Sequence, residues 1–241
     1  MTARKAVKKK PVKAKAKEAH VFDRADYEWY VDTPSVSAAL FSVESFDGAI
    51  IDPCAGMGNI PRMAIRAGYS ARAYDINPRP KHYRGLVGVL DPKPQDFFSL
   101  EDAVFDSIVF NPPYGYSKKK IVDGKLVDDT TSPRFEEMAI ERALTIARYK
   151  VAAVVRLQWL VPRMTWLKRL GLIRVWLISP RPSMLPGENI LAGEMPGGGG
   201  VDYAWLVFIR GADISPTIGE AKRINALDSA DNWSWRLGKN G

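Results

Sequence analysis

Asn111-Pro112-Pro113-Tyr114 follows directly on Phe105-Asp106-Ser107-Ile108-Val109-Phe110, an apolar run that reads as a buried strand. Two prolines cannot continue a ladder, since each lacks an N–H and has a fixed φ, so the backbone leaves the sheet on a rigid path. An amide then stands at the strand tip with an aromatic ring three residues on. In an open α/β sheet that carboxyl end is where ligands bind. The amide can accept from a planar amino group while Tyr114 stacks on the ring that carries it. A plain strand-ending turn has the same residues, so the tetrapeptide alone decides nothing.

A second set of residues lies upstream. Ala49-Ile50-Ile51-Asp52-Pro53 reads as a strand with an acid at its tip, and Cys54-Ala55-Gly56-Met57-Gly58-Asn59 as a glycine loop entering a helix over Ile60 to Ala67. Strand, glycine loop and helix open a Rossmann-like unit. Ala71-Arg72-Ala73-Tyr74-Asp75 is the next strand, and its acid stands 17 residues beyond Gly58, the spacing of an acid that grips a ribose. Asp96-Phe97-Phe98 reads as a third strand end.

The totals exclude several chemistries. One cysteine, Cys54, rules out an internal disulfide and fits a reducing compartment such as the cytoplasm. With only His20 and His82 besides, no His/Cys metal cluster or Cys-His or Ser-His-Asp engine is expected. No apolar run approaches the ~20 residues of a membrane span, and the charged N-terminus lacks the apolar stretch of a signal peptide. The net charge is +8, but eight of the 35 Lys/Arg lie in residues 1–17, which leaves 27 basic against 27 acidic residues. The excess is a tail, too like-charged to fold alone, and equally suited to non-specific phosphate contact or to solubility.

The elements that must position these residues follow from the pattern. Residues 1–19 form the basic tail, residues 20–212 a single catalytic domain, and residues 213–241 a polar C-terminal extension that includes Trp233 and Trp235. Thr33-Pro34 opens a helix marked by Val36, Leu40 and Phe41. Residues 115–134 are long for a loop in a compact domain, then a helix runs over 134–149. Strands follow over 151–155, 173–178 and 203–209, with a short helix over 165–170 and an irregular stretch over 180–202 that holds four glycines at 197–200. The sum is an α/β fold: a Rossmann-like, seven-stranded, mostly parallel sheet with an antiparallel last strand and helices on both faces.

In order and spacing, Asp52–Ile60, Ala73–Asn77, Asp96–Phe98 and Asp106–Tyr114 resemble the NPPY-type S-adenosylmethionine-dependent DNA adenine-N6 methyltransferases, over roughly residues 25–210. Thr33-Pro34 resembles that family's N-terminal cofactor-contact motif. The resemblance implies S-adenosylmethionine as cofactor, held by Thr33, Pro34, Asp52, Cys54, Ala55, Gly56, Gly58, Asp75, Ile76, Asp96, Phe97 and Asn111. Within that set Asp52 faces the amino-acid end, Asp75 the ribose and Asp96 the adenine amine beside Phe97. It further implies a flipped adenine in duplex DNA, with Asn111 and the Pro112 carbonyl on the amine and Tyr114 stacked on the base. NPPY enzymes also methylate ribosomal RNA and a glutamine amide of release factors, so both remain alternative substrates.

About 30 residues follow the last expected strand, too few for a separate target-recognition domain. Target contacts then fall to residues 115–134 and 180–202, with Lys118, Lys119, Lys120 and Arg181 on phosphates, which position but do not specify. Weak or short-site specificity is expected. No membrane or metal partner is expected, and the oligomeric state is open, a monomer being the expected form.

Overall fold

A computed structural model describes residues 29–79, 89, 93–100, 105–115, 117–123, 125–197 and 199–228. The basic tail, His20, His82, Trp233 and Trp235 lie outside these. The first elements are the two-residue β1 (Tyr30–Val31), α1 (Pro34–Val43), β2 (Ile50–Asp52), α2 (Asn59–Arg66), β3 (Ala71–Ala73) and β4 (Ser107–Phe110). Pro34 starts α1 at its first position, where a missing N–H costs nothing. After β4 come the hairpin β5 (Lys119–Val122) and β6 (Lys125–Asp128), then α3 (Phe135–Ile146) and β7 (Lys150–Arg156). Short helices α4 (Leu157–Leu160) and α5 (Met164–Arg169) lead to β8 (Leu172–Ser179). The chain continues through β9 (Leu185–Pro186), α6 (Gly187–Leu191), β10 (Tyr203–Ile209) and β11 (Thr217–Lys222).

Seven strands form the central sheet in the order β11-β8-β10-β7-β4-β2-β3. All of its pairings are parallel except those of β10, which runs antiparallel to both β7 and β8. The expected seven-stranded, mostly parallel sheet is therefore present, with its antiparallel strand inserted between two parallel ones. Two strands changed places to keep the count. Asp96-Phe97-Phe98 is not a strand: the Asp96 carboxylate accepts from the Phe98 N–H at 3.0 Å and caps a single 3-10 turn, Phe97–Ser99. The seventh strand is β11, which lies beyond the domain end expected at residue 212.

Strand β11 was illegible because it is an edge strand, and only Ala221 of its six residues is buried. Behind it, Arg223 and Asp228 fasten the chain to the start of α1. Asp228 accepts from the Ser35 N–H at 2.9 Å and the Ser35 hydroxyl at 2.7 Å, while Arg223 Nε donates to that hydroxyl at 2.6 Å. A carboxylate at the first turn also meets the positive end of the helix dipole. Residues 217–228 thus belong to the folded body, and the polar extension is not separate from it up to that point.

Alternation along each strand builds two cores. Ile108, Phe110, Val151, Ala153, Val155, Leu206 and Phe208 face α3 and Leu160 and Leu167 of the short helices. Val109, Ala152, Val154, Trp205 and Val207 face α1 and α2 through Val36, Leu40, Ile60 and Ala64. With both faces covered, the sheet can open to a ligand only at its ends. No helix among the described residues is long and apolar enough to cross a membrane.

Candidate active site

The carboxyl ends of β2, β3 and β4 open into one cavity of about 640 Å³. It lies within the ~300–1,000 Å³ typical of small-molecule sites. Of the residues expected at a cofactor, Cys54, Gly56, Asp75, Ile76, Asp96, Phe97 and Asn111 line it, and Pro112 and Lys119 lie on the same wall. Thr33, Pro34, Asp52, Ala55 and Gly58 do not line it. They build the wall from behind: Thr33 and Pro34 begin α1, and Gly58 (φ +75°) turns the chain into α2 through the left-handed region.

Three carboxylates converge behind the glycine loop. Asp75 accepts from the Gly56 N–H at 2.7 Å and the Asn77 N–H at 2.8 Å, and Arg79 stands 3.7 Å away. Burial raises its pKa, and those N–H groups and Arg79 oppose the rise. Asp52 is 1% exposed; one oxygen accepts from the Cys54 N–H at 3.1 Å and the other has no partner. Burial, then the nearby Asp32 charge, pushes Asp52 well above the usual carboxylate range. Asp32 lines the cavity, accepts from the Ser37 hydroxyl at 2.7 Å, and is pushed up to about 6, mainly by burial. The same burial raises the Cys54 thiol well above its ordinary value, which leaves it a packing group.

At the other end, Asn111 is held on both sides of its amide. Its Nδ2 donates to the Tyr30 carbonyl at 2.9 Å, and the Tyr114 hydroxyl donates to its Oδ1 at 2.6 Å. That hydroxyl also lies 3.1 Å from the Val154 carbonyl. It has one proton to give, and the shorter contact goes to Asn111. Tyr114 is 1% exposed, does not line the cavity, and has the Arg156 guanidinium 4.8 Å from its ring centre. The expected stacking role for Tyr114 is therefore corrected. Its ring is packed beneath Val154 and its hydroxyl positions the amide. Aromatic side chains that do line the cavity include Tyr30, whose carbonyl holds Asn111, and Phe135 of α3, whose N–H donates to the Gly115 carbonyl at 2.8 Å.

The expected phosphate-binding lysines separate on inspection. Lys119 lines the cavity, Lys120 faces Asp129 at 3.5 Å, and Lys118 is exposed at the foot of the hairpin. Arg181 is not free for phosphate: Asp202 accepts from its Nε at 2.7 Å and NH2 at 2.9 Å. Among the described residues no His, Cys, Asp and Glu group is arranged to hold a metal.

Trp29, to which the sequence pattern assigns no role, lines the cavity and closes it. Arg79 packs 3.6 Å from its ring centre, and a Cβ on Gly187 would lie 2.2 Å from its ring carbons. Its Nε1 is buried with no partner beside the Gly56 backbone. Pairing of Val31 with Leu185 and Tyr30 with Pro186 brings it there, a long-range register with no periodic sequence signal.

No protein-family model and no curated protein matches the sequence. Solved structures match it in fold. A proposed RNA methyltransferase of Pyrococcus horikoshii aligns over 73% of this chain and 82% of its own, with a TM-score of 0.50 and 10% identity. The M protein of the type I restriction enzyme EcoKI aligns over 81% of this chain and 49% of its own, with a TM-score of 0.50 and 11% identity. This chain therefore spans about half the length of that M protein. The architecture shared with these two proteins is a Rossmann-like sheet.

Proposed function

We propose that the chain transfers a methyl group from S-adenosylmethionine to the N6 amine of adenine in DNA. The observation that carries this reading is the single cavity joining Gly56, Asp75, Asp96 and Phe97 at one end to Asn111 and Pro112 at the other. The donor and acceptor set fits the cofactor. Asp75 retains lone pairs for ribose hydroxyls beyond its two backbone partners, Asp96 is exposed at the cavity wall for an exocyclic amine, and Phe97 offers an apolar flank. Asp32, which lines the cavity and loses its proton above about pH 6, supplies negative charge near the glycine loop for an α-ammonium. When bound, the cofactor supplies a methyl group made electrophilic by its sulfonium.

The protein's share is orientation. Asn111 Oδ1 keeps a second lone pair beside the Tyr114 contact, and the Pro112 carbonyl is a further acceptor. Two acceptors on the two N–H groups of an aromatic amine draw its nitrogen towards a pyramidal form whose lone pair points at the methyl group. No base is needed before attack, because the amine becomes acidic only once alkylated. Catalysis is then positioning plus placed dipoles.

The test is incubation with labelled S-adenosylmethionine and duplex DNA, ribosomal RNA or a release factor. Label is expected in adenine of DNA, and Asn111→Ala should abolish it. Label in the release factor or the RNA alone would refute DNA as the substrate.

A further inference from the structure

The hairpin β5–β6 stands outside the central sheet as a two-stranded sheet of its own. Such a hairpin is marginal in water unless something covers it. Its register sets Ile121 opposite Leu126 and Lys119 opposite Asp128 on one face, with Lys120, Val127, Val122 and Lys125 on the other. Ile121 is 75% exposed and Leu126 65%, an apolar cross-strand pair in open water. The face that carries them is the face of Lys119, which lines the cavity beyond Asn111. The hairpin therefore begins at the mouth of the amine site, five residues after the Asn-Pro-Pro-Tyr turn.

We propose that this hairpin is a wedge that enters duplex DNA beside the target base, with Ile121 and Leu126 filling the gap that the extruded base leaves in the stack. The inference rests on the DNA reading above. A stacked base cannot reach an amide at the floor of a cavity, so it must leave the helix, and the vacated step is costly unless something apolar fills it. Isoleucine and leucine are side chains of the kind that wedge between base steps. Charge fits the same partner. Lys118, Lys119 and Lys120 are consecutive at the cavity end with no acid among them, and Lys125 opens the second strand. Of the hairpin's acids, Asp128 lies opposite Lys119, Asp129 is engaged by Thr131 and Lys120, and Asp123 sits at the turn, which leaves four lysines against three acids. A two-stranded ribbon also suits the width of the B-form major groove, whereas that of A-form RNA is too narrow for it.

The test uses the full chain carrying Ile121→Thr and Leu126→Thr, which keep strand propensity while removing the apolar pair. Methyl transfer is measured on unmethylated DNA in native and in heat-denatured form. The double variant should be slowed by about tenfold or more on native DNA and by less than about twofold on denatured DNA, where no pairing has to be broken. Activity kept on denatured DNA also shows that the variant is folded. Equal slowing on both forms, or on neither, overturns the wedge while the DNA reading stands. So does a wild type that labels native DNA alone, because an open strand needs no wedge. A wild type that labels neither form overturns both.

Discussion

Replacing Tyr114 with Phe separates the two roles a tyrosine at this position can have. The change keeps the ring, so a stacking residue would lose almost nothing. In this structure it removes the hydroxyl that holds Asn111 Oδ1 at 2.6 Å and lies 3.1 Å from the Val154 carbonyl, in a residue 1% exposed. Burial also raises the phenol pKa well above its ordinary value, so the hydroxyl is a neutral donor throughout the working pH range. Losing it leaves a buried carbonyl without its donor. The net cost is about 2 kcal/mol, or about 4–8 °C in Tm for a chain of this size. Asn111 would then be fixed only through its Nδ2 on the Tyr30 carbonyl. A reacting group misplaced by part of an ångström can cost up to about a hundredfold in rate, so kcat should fall about tenfold or more. The affinity for S-adenosylhomocysteine should be unchanged, since Tyr114 does not line the cavity. Thermal unfolding, single-turnover kinetics and calorimetric titration read the three quantities. Wild-type Tm and kcat in Tyr114→Phe, together with a raised KM for DNA in Tyr114→Ala, would refute the positioning role and restore stacking.

Other predictions follow from the same structure. Glu44 accepts from Lys150 Nζ at 2.8 Å, Arg174 at 3.3 Å and Trp176 Nε1 at 3.0 Å at the end of α1, so Glu44→Ala strands a buried lysine. It should cost about 3–5 kcal/mol in urea unfolding; a loss below about 1 kcal/mol would show the pair to be dispensable. Asp32, at about 6 in the fold against about 4 unfolded, keeps its proton longer when native. Its contribution therefore favours the fold at low pH and is lost as pH rises from about 4 through 6, by about 3 kcal/mol. Asp32→Asn should flatten that part of the stability profile, and an unaltered slope would be contrary to it. Gly187→Ala would place a Cβ 2.2 Å from the Trp29 ring and displace the residue that closes the cavity. The expected outcome is about 1–3 kcal/mol of destabilisation with weaker S-adenosylhomocysteine binding by calorimetry; full affinity would show that Trp29 does not shape the site.

The local signals in the sequence were strong where chemistry and backbone geometry coincide. Gly56 and Gly58 after an apolar strand, Asp75 at the next strand tip, and two prolines ending β4 each leave a mark within a few residues. Those marks determined the fold class and the end of the sheet at which a ligand would lie, while the strand count agreed only because β11 replaced the expected strand at Asp96–Phe98. Asp96-Phe97-Phe98 misled because an acid before two aromatics serves equally as a strand tip and as a cap, and only the Phe98 N–H on Asp96 decides which. Strand β11 was hidden because five of its six residues are not buried, so Thr217–Lys222 carries no apolar face to read. Tertiary structure alone decided the rest. Tyr114 looks the same in sequence whether it stacks on a base or holds Asn111, since its direction depends on Val154 and Arg156, 40 and 42 residues further along. Trp29 reaches the glycine loop only because β1 pairs with β9 more than 150 residues away. Local geometry is written in neighbouring residues; which side chains face one cavity is set by contacts between residues far apart in the chain.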